Sequence, residues 1–308
     1  MDHPVCIIGA GRSGTNLLGL TFDAEGPRWR NLFENRYIWT YGQRNLSCDR
    51  REASEATDEV KAYIRRHFAD VRRGNELLID KTPSNAFRIP FVAEIFPDTK
   101  FIHIIRDGRD NILSRQKQWE GVKRQANSSQ PTRGWKHNLA VAKDRVRHFR
   151  TLRGRGNLPL DRIPVMLSDS IKPMVYQFAT GKPLRWAERV SGLPEVLRAH
   201  GVDVAAAVQW RETVMAALVD GRKLGSDRYH EIRYENFLKH PIESWRDILE
   251  FLGEEGTGGG ERFLRESIVP KNTNKWRHGE GRKRVDALET HLRPTLEFLG
   301  YPWEQNGR

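Results

Sequence analysis

The stretch Val5-Cys6-Ile7-Ile8-Gly9-Ala10-Gly11-Arg12-Ser13-Gly14-Thr15-Asn16-Leu17-Leu18 decides how the rest of the chain is read. An apolar run enters a turn with glycines at 9, 11 and 14, and Leu17, Leu18 and Leu20 continue as a helix that Gly26-Pro27 ends. Strand, glycine-rich turn and helix in this order make an anion cradle. Glycine permits backbone conformations closed to other residues, and the helix points its unpaired first-turn N–H groups and positive dipole end into the turn. Phosphate or sulfate is the expected occupant. A glycine turn that only packs a helix on a strand has the same outline, so the residues inside the turn have to separate the readings.

Gly9-x-Gly11-x-x-Gly14 fits the dinucleotide fingerprint, which also needs a second strand ending in Asp or Glu about 20 residues on. Glu25-Gly26-Pro27-Arg28-Trp29-Arg30 is not read as such a strand. Gly9-x-x-x-x-Gly14 also opens like the nucleoside-triphosphate loop, but Thr15-Asn16 stand where that loop has a Lys for the phosphates and a Ser or Thr for magnesium. Arg12-Ser13-Gly14-Thr15 instead puts a guanidinium in the turn and hydroxyls at the helix start, a set suited to a phosphosulfate held without metal.

With 308 residues the chain can bury a full core, and a single domain, 1–308, with an insertion is expected. A net charge of +12, from 52 Lys and Arg against 40 Asp and Glu, favours an anionic ligand, an anionic acceptor or a loosely held nucleic acid. The two cysteines, Cys6 in an apolar strand and Cys48 in a polar segment, form no disulfide framework, so a reducing compartment is the default. The first strand starts too early for a signal sequence, and no apolar run is long enough for a membrane span. The expectation is a cytoplasmic chain.

Farther along, the segment 31–39 carries Glu34 between apolar residues, and 52–73 reads as a polar helix with Val60, Tyr63, Ile64, Phe68 and Val71 at helical spacing. Leu77-Leu78-Ile79-Asp80 reads as a strand with Lys81-Thr82-Pro83-Ser84-Asn85 at its carboxyl end, where open α/β sheets place ligand groups. A helix at 89–97 stopped by proline leads to the clearest strand, 100–105, and Arg106-Asp107-Gly108-Arg109-Asp110 turns that strand into a helix carrying Ile112, Leu113 and Ser114. This alternation predicts a three-layer α/β/α fold with a central parallel sheet and right-handed crossovers. Residues 119–201 loosen the pattern and are expected to form a mainly helical insertion on the acceptor side, with Trp135, Tyr176, Phe178 and Trp186 among many basic residues. A helix at 204–219 closed by Gly221, a strand at 229–234, a helix at 242–252, a flexible glycine loop at 256–260 and a helical tail at 285–300 complete the chain.

With these segments placed, the chain resembles a sulfotransferase that uses 3′-phosphoadenosine 5′-phosphosulfate. Gly11-Arg12-Ser13-Gly14-Thr15, with Asn16 next, resembles that family's 5′-phosphosulfate loop. Phe101-Ile102-His103-Ile104-Ile105-Arg106-Asp107-Gly108-Arg109-Asp110-Asn111-Ile112-Leu113-Ser114 resembles its 3′-phosphate strand and helix, with Arg106 and Ser114 at the family's arginine and serine positions. Tyr234 in Arg233-Tyr234-Glu235-Asn236 matches a tyrosine near the adenine, and Lys275-Trp276-Arg277 resembles the basic and aromatic segment that closes over the nucleotide. The resemblance covers residues 4–118 and 205–280. It implies a P-loop-like sulfotransferase fold, the phosphosulfate nucleotide as co-substrate without metal, and an acceptor bearing a hydroxyl. Carbohydrates, lipids and small natural products are the acceptor classes, acidic or glycosylated ones included.

Independently of any family, a guanidinium at a strand end can grip phosphate oxygens in a forked pair of hydrogen bonds, and a serine farther into the next helix can add a hydroxyl donor. Arg106 could equally pair with Asp107 or Asp110, and Tyr234 could simply cap the core. Sulfuryl transfer needs an acceptor hydroxyl made nucleophilic, cations where charge develops, and in-line placement. Phe33-Glu34-Asn35-Arg36 resembles the glutamate region of the protein-tyrosine and carbohydrate sulfotransferases, which makes Glu34 the candidate base and Glu25 the fallback. The small-molecule branch carries a Lys-Thr-His pattern with a histidine base, whereas here Lys81-Thr82 is followed by Pro83. Lys81 is the second candidate cation beside Arg12, with an ion pair to Asp80 as its structural alternative. The ten histidines show no metal-ligand spacing, so no metal site is expected. The competing readings are a P-loop nucleotide-dependent kinase and a basic nucleic-acid-binding protein; the chain carries no recognised nucleic-acid motif, and no stable nucleic-acid partner is expected.

Overall fold

Buried along its whole length, β1 (Val5–Ile8) is the middle strand of the sheet in the computed structural model, which describes residues 3–127, 160–164, 187–268 and 273–303. Its side chains alternate between the two faces. Val5 and Ile7 pack with Leu18 and Phe22 of α1 (Thr15–Glu25), while Cys6 and Ile8 pack with Trp39 of α2 (Arg36–Trp39), Ile64 and Phe68 of α3 (Asp58–Val71) and Phe91 of α4 (Ile89–Ile95). Burial on both faces is why the strand is a continuous apolar run, as parallel strands covered by helices require. The three-layer α/β/α arrangement is therefore present.

The five strands are all parallel, in the order β2-β3-β1-β4-β5, with β2 Trp29–Asn31, β3 Leu77–Lys81, β4 Phe101–Ile105 and β5 Tyr229–Arg233. The register places Ile7 opposite Lys81 and Ile8 opposite His103. The loop at 9–14, Lys81 and Arg106 thus emerge together at the carboxyl edge of the sheet, where ligand groups are expected.

Two expectations are corrected here. Residues 29–31 do form a strand, which pairs with β3. Three residues with Arg30 in the middle are too short to show a period, and only pairing with Leu77, Leu78 and Ile79 makes them extended. The strand ends at Asn31 and is separated from β1 by β3, unlike a dinucleotide fold, whose second strand lies beside the first. The glycine run at 256–260 is a loop only as far as Gly258. Gly259 and Gly260 start α9 (Gly259–Ser267), and a Cβ on Gly259 would lie 2.1 Å from the Ala24 carbonyl oxygen. Glycine serves close packing there.

The helix after β4, α5, runs Gly108–Asn127, past the expected start of the insertion, and α6 spans Leu193–Gly221 with a break at Gly201 (φ 81°, ψ −175°). Most of 119–201, including Trp135, Tyr176, Phe178 and Trp186, lies outside the described residues. The chain closes with α7 (Tyr234–Lys239), α8 (Pro241–Leu252), α9, α10 (Gly279–Asp286) and α11 (Glu289–Phe298). The expected tail positions Val285, Leu288, Leu292 and Leu296 are all buried. Cys6 and Cys48 are free. Among the described residues, no helix is long and apolar enough to cross a membrane.

Candidate functional site

The glycine loop takes a shape that few other residues could hold. At Gly9 (φ +148°) a Cβ would come 2.5 Å from the Ile104 carbonyl oxygen, and at Gly14 (φ +101°) 2.4 Å from the Tyr234 ring. Arg12 itself sits at φ +72°, a left-handed conformation that costs a non-glycine residue about 1–3 kcal/mol unless its surroundings enforce it. They do: the Arg106 guanidinium donates to the Arg12 carbonyl at 2.9 Å, and Arg12 Nε donates to Ser114 Oγ at 3.1 Å. The two predicted anion half-sites are thereby joined. Gly11, Arg12, Gly14, Thr15 and Asn16 line a cavity of about 870 Å³, at the end of α1 whose first-turn N–H groups have no partner within the helix. Ser13 is fully buried, its hydroxyl accepting from Asn111 at 3.0 Å and its N–H donating to the Ala10 carbonyl at 3.0 Å. It braces the loop and is not among the lining residues.

Arg106 and Ser114 line the same cavity, as do Tyr234 and Lys275. Arg106 is buried, with its guanidinium 4.7 Å from the centre of the Tyr234 ring. Tyr234, the first residue of α7, belongs to a small core with Ile104 and Leu238 and also borders the cavity; burial raises its phenol above the ordinary range. Asp107 is paired with Arg109 at 2.7 Å. Asp110 accepts the backbone N–H groups of Asn274 at 2.6 Å and Trp276 at 3.2 Å, pinning the late segment against the start of α5. Burial pushes the Asp110 carboxyl up, opposed by the nearby Arg106 charge. Trp276 is buried under the Arg109 guanidinium, 3.8 Å from its ring centre, whereas Arg277 is exposed and is not among the lining residues.

On another side of the cavity stands Glu34, whose carboxylate meets Lys81 Nζ at 2.9 Å; the glutamate side chain is 58% exposed and the lysine 3%. Phe33, at φ +56° with its N–H on Asn31 Oδ1 at 2.9 Å, turns the chain just before Glu34. Asp80 is occupied elsewhere. Its carboxylate accepts four hydrogen bonds, from Asn35 Nδ2, Trp39 Nε1, Thr82 Oγ1 and Asn85 Nδ2, at 2.8–2.9 Å. The Thr82 hydroxyl in turn accepts the Asn35 N–H at 3.0 Å. This hub ties the residue after Glu34 to the residues on either side of Lys81, which fixes the pair. Full burial raises the Asp80 pKa to about 6 in spite of its donors.

The fallback base is ruled out by placement. Glu25 is 1% exposed at the end of α1, where it accepts from the Trp245 indole at 2.9 Å, Gly260 N–H at 2.9 Å, Gly258 N–H at 3.2 Å and Thr257 N–H. It caps α9 and is not among the lining residues of the cavity.

Sequence reasoning missed Glu188, Asn111 and Arg115. Glu188 accepts the Gly11 N–H at 2.5 Å, Asn111 donates to the Gly11 carbonyl at 3.0 Å, and Arg115 binds both of these residues. Asn111 and Arg115 lie within and next to the quoted 101–114 stretch and could have been noticed there. Glu188 gives no local signal, being 177 residues from its partner.

Comparison with known proteins bears on the family and the fold. The model of the sulfotransferase family matches residues 21–166 and 186–257, a range that begins after the glycine loop. The sulfotransferase domain of the olefin synthase of Synechococcus PCC 7002 is similar in structure, with a TM-score of 0.51 at 16% identity over 98% of this chain and 96% of that one. A sulfotransferase from Mycobacterium avium gives a TM-score of 0.49 at 14% identity over 99% of this chain and 78% of that one. At such identity the first likeness speaks for the fold alone. A search of curated proteins returned no match.

Proposed function

The chain belongs to the sulfotransferase family, and from that premise we propose that it moves a sulfuryl group from 3′-phosphoadenosine 5′-phosphosulfate to an acceptor hydroxyl. The observation that carries the reading is a single cavity of about 870 Å³ bordered by the anion loop, by Arg106 with Ser114, and by Glu34, which holds Lys81 at 2.9 Å. The donor set fits this co-substrate. Arg12 and the amide end of α1 suit its 5′ anion, Arg106 and Ser114 its 3′-phosphate, and Tyr234 and Lys275 the nucleoside between them. Trp276, stacked under Arg109, would hold the closing segment in place, with Arg277 at its rim.

When bound, the nucleotide supplies the activated sulfuryl group. Glu34, open to the cavity, would take the proton of the acceptor hydroxyl. Lys81 orients Glu34 by their ion pair and, with Arg12, offers positive charge where negative charge develops on the transferring and bridging oxygens. Arg106 and Ser114 would fix the in-line approach by anchoring the far end of the donor. The acceptor would enter beside Glu34, Thr82 and Ser84, which line that side. Carbohydrates, lipids and small natural products with a free hydroxyl are the classes to try.

The test is transfer of labelled sulfate from the nucleotide to a panel of such acceptors. Glu34→Gln should lose turnover by about a hundredfold or more, the usual size of a general-base contribution, while keeping its affinity for 3′,5′-adenosine bisphosphate. Unchanged turnover would remove Glu34 from the mechanism. Transfer should persist in chelator, because cationic side chains and loop amides stand where a kinase uses magnesium; a strict magnesium requirement would favour the kinase reading.

A further inference from the structure

Building on the donor reading above, we infer that Glu188, with Arg115 as its counter-charge, is a positioning residue for the anion loop. The Gly11 peptide is clamped at both ends, its N–H by Glu188 Oε1 at 2.5 Å and its carbonyl by Asn111 Nδ2 at 3.0 Å. One guanidinium holds both clamps: Arg115 donates to Glu188 Oε2 from two nitrogens at 3.0 and 3.1 Å, and to Asn111 Oδ1 at 2.7 Å. The Glu188 backbone is fixed as well, since its carbonyl accepts from Gln209 Nε2 at 2.6 Å. Next to it, Arg189 exchanges backbone bonds with Asp49, giving its N–H to the carboxylate at 2.7 Å and accepting the Asp49 N–H at 2.8 Å. Residues 188–189 therefore bolt the loop, on one side, to a wall bordered by Asp49 on the other.

A carboxylate is an unexpected neighbour for a seat meant for an anion, since like charges repel most where water is excluded. Here the Glu188 and Arg115 side chains are 2% and 0% exposed, so their charges face each other and largely cancel. The carboxylate satisfies the half-buried Gly11 amide, and the guanidinium keeps that carboxylate from opposing the ligand. The approach is close enough that a Cβ on Gly11 would lie 3.0 Å from Glu188 Oε1. The role of Arg115 toward the ligand is thus to neutralise, which gives its removal a distinctive signature: removing the arginine alone harms anion binding more than removing both charges.

The experiment is calorimetric titration of the full chain with 3′,5′-adenosine bisphosphate, alongside thermal unfolding of each variant. Arg115→Met should weaken binding by about tenfold or more, because it leaves an uncompensated carboxylate beside the loop. Arg115→Met combined with Glu188→Gln should recover most of that loss although it is the more heavily altered protein. Glu188→Gln alone, which keeps an acceptor oxygen for Gly11, should stay close to wild type, whereas Glu188→Ala should weaken binding by about tenfold through the orphaned amide. If the Arg115 variants do not fold, the contrast between Glu188→Gln and Glu188→Ala decides. A double variant no better than Arg115→Met, or Glu188→Ala binding like wild type, would show that the pair only packs the segment and would overturn the inference alone. No binding by the wild type would overturn the donor reading, and this inference with it.

Discussion

The glycine-rich turns at residues 9–14 and 256–260 feed the N-termini of α1 and α9, and they receive negative charge in different ways. The second is filled from within. Glu25 spends its carboxylate on Thr257, Gly258, Gly260 and the Trp245 indole and is almost fully buried. The first also meets a glutamate, but Glu188 takes only the Gly11 amide and is neutralised by Arg115, while Gly14, Thr15 and Asn16 border a cavity. A glycine turn before a helix therefore announces that an anion belongs there. Whether that anion is a ligand or the protein's own side chain is set by contacts as far as 235 residues away in the chain.

The largest effect should come from the filled turn. Glu25→Ala leaves three N–H groups and an indole without their acceptor and should cost about 3–5 kcal/mol of folding stability, read from the denaturant midpoint. Bisphosphate affinity of the folded protein should stay the same; a fall in affinity would show that the two turns are not separate. Next in size, Arg106→Ala should cost bisphosphate binding about 2–4 kcal/mol, as when a buried charge partner is removed. The loss for 5′-AMP, which lacks the 3′-phosphate, should be clearly smaller, and an equal loss would remove Arg106 from the 3′ side.

The smallest expected effect concerns Asp80, a third carboxylate satisfied from within. Burial lifts its pKa to about 6 in the folded state, above the ordinary value near 4, so the folded state holds the proton more tightly. Folding then takes up a proton between those values, and this contribution to stability, full at low pH, is lost as pH rises from about 4 to about 6, with a slope of at most about 1.4 kcal/mol per pH unit. Asp80→Asn should flatten that part of the profile. Stability that instead rises through the same window because of Asp80 would mean its four donors outweigh its burial.

Much of the site was legible because it is local. The strand, loop and helix of residues 5–18 and the strand and helix of 101–114 each carry their chemistry within one short stretch, and both end at the same edge of the sheet. The pairing of Glu34 with Lys81 was legible only in part: each residue stood out, but the only ion-pair partner weighed for the lysine was Asp80, as the alternative to its role as a cation. Four side chains that converge on Asp80 from 35, 39, 82 and 85 remove that alternative. What sequence reading could not supply were long-range matches. β2 is extended only because β3 lies beside it, the glycines at 259 and 260 are small to admit α1 and Trp245, and Glu188 reaches Gly11 across 177 residues of chain.

The central claim is that the open turn, together with Arg106 and Ser114, is a seat for an adenosine nucleotide with anions at both its 5′ and 3′ positions. The most direct measurement is the thermal unfolding of the wild-type chain with 3′,5′-adenosine bisphosphate, 5′-AMP and magnesium-ATP at matched concentrations, since a ligand of the folded state raises the midpoint with its saturation. The account predicts a large rise with the bisphosphate, a much smaller one with 5′-AMP and no preference for magnesium-ATP. Equal rises with bisphosphate and 5′-AMP, or the largest rise with magnesium-ATP, would contradict it.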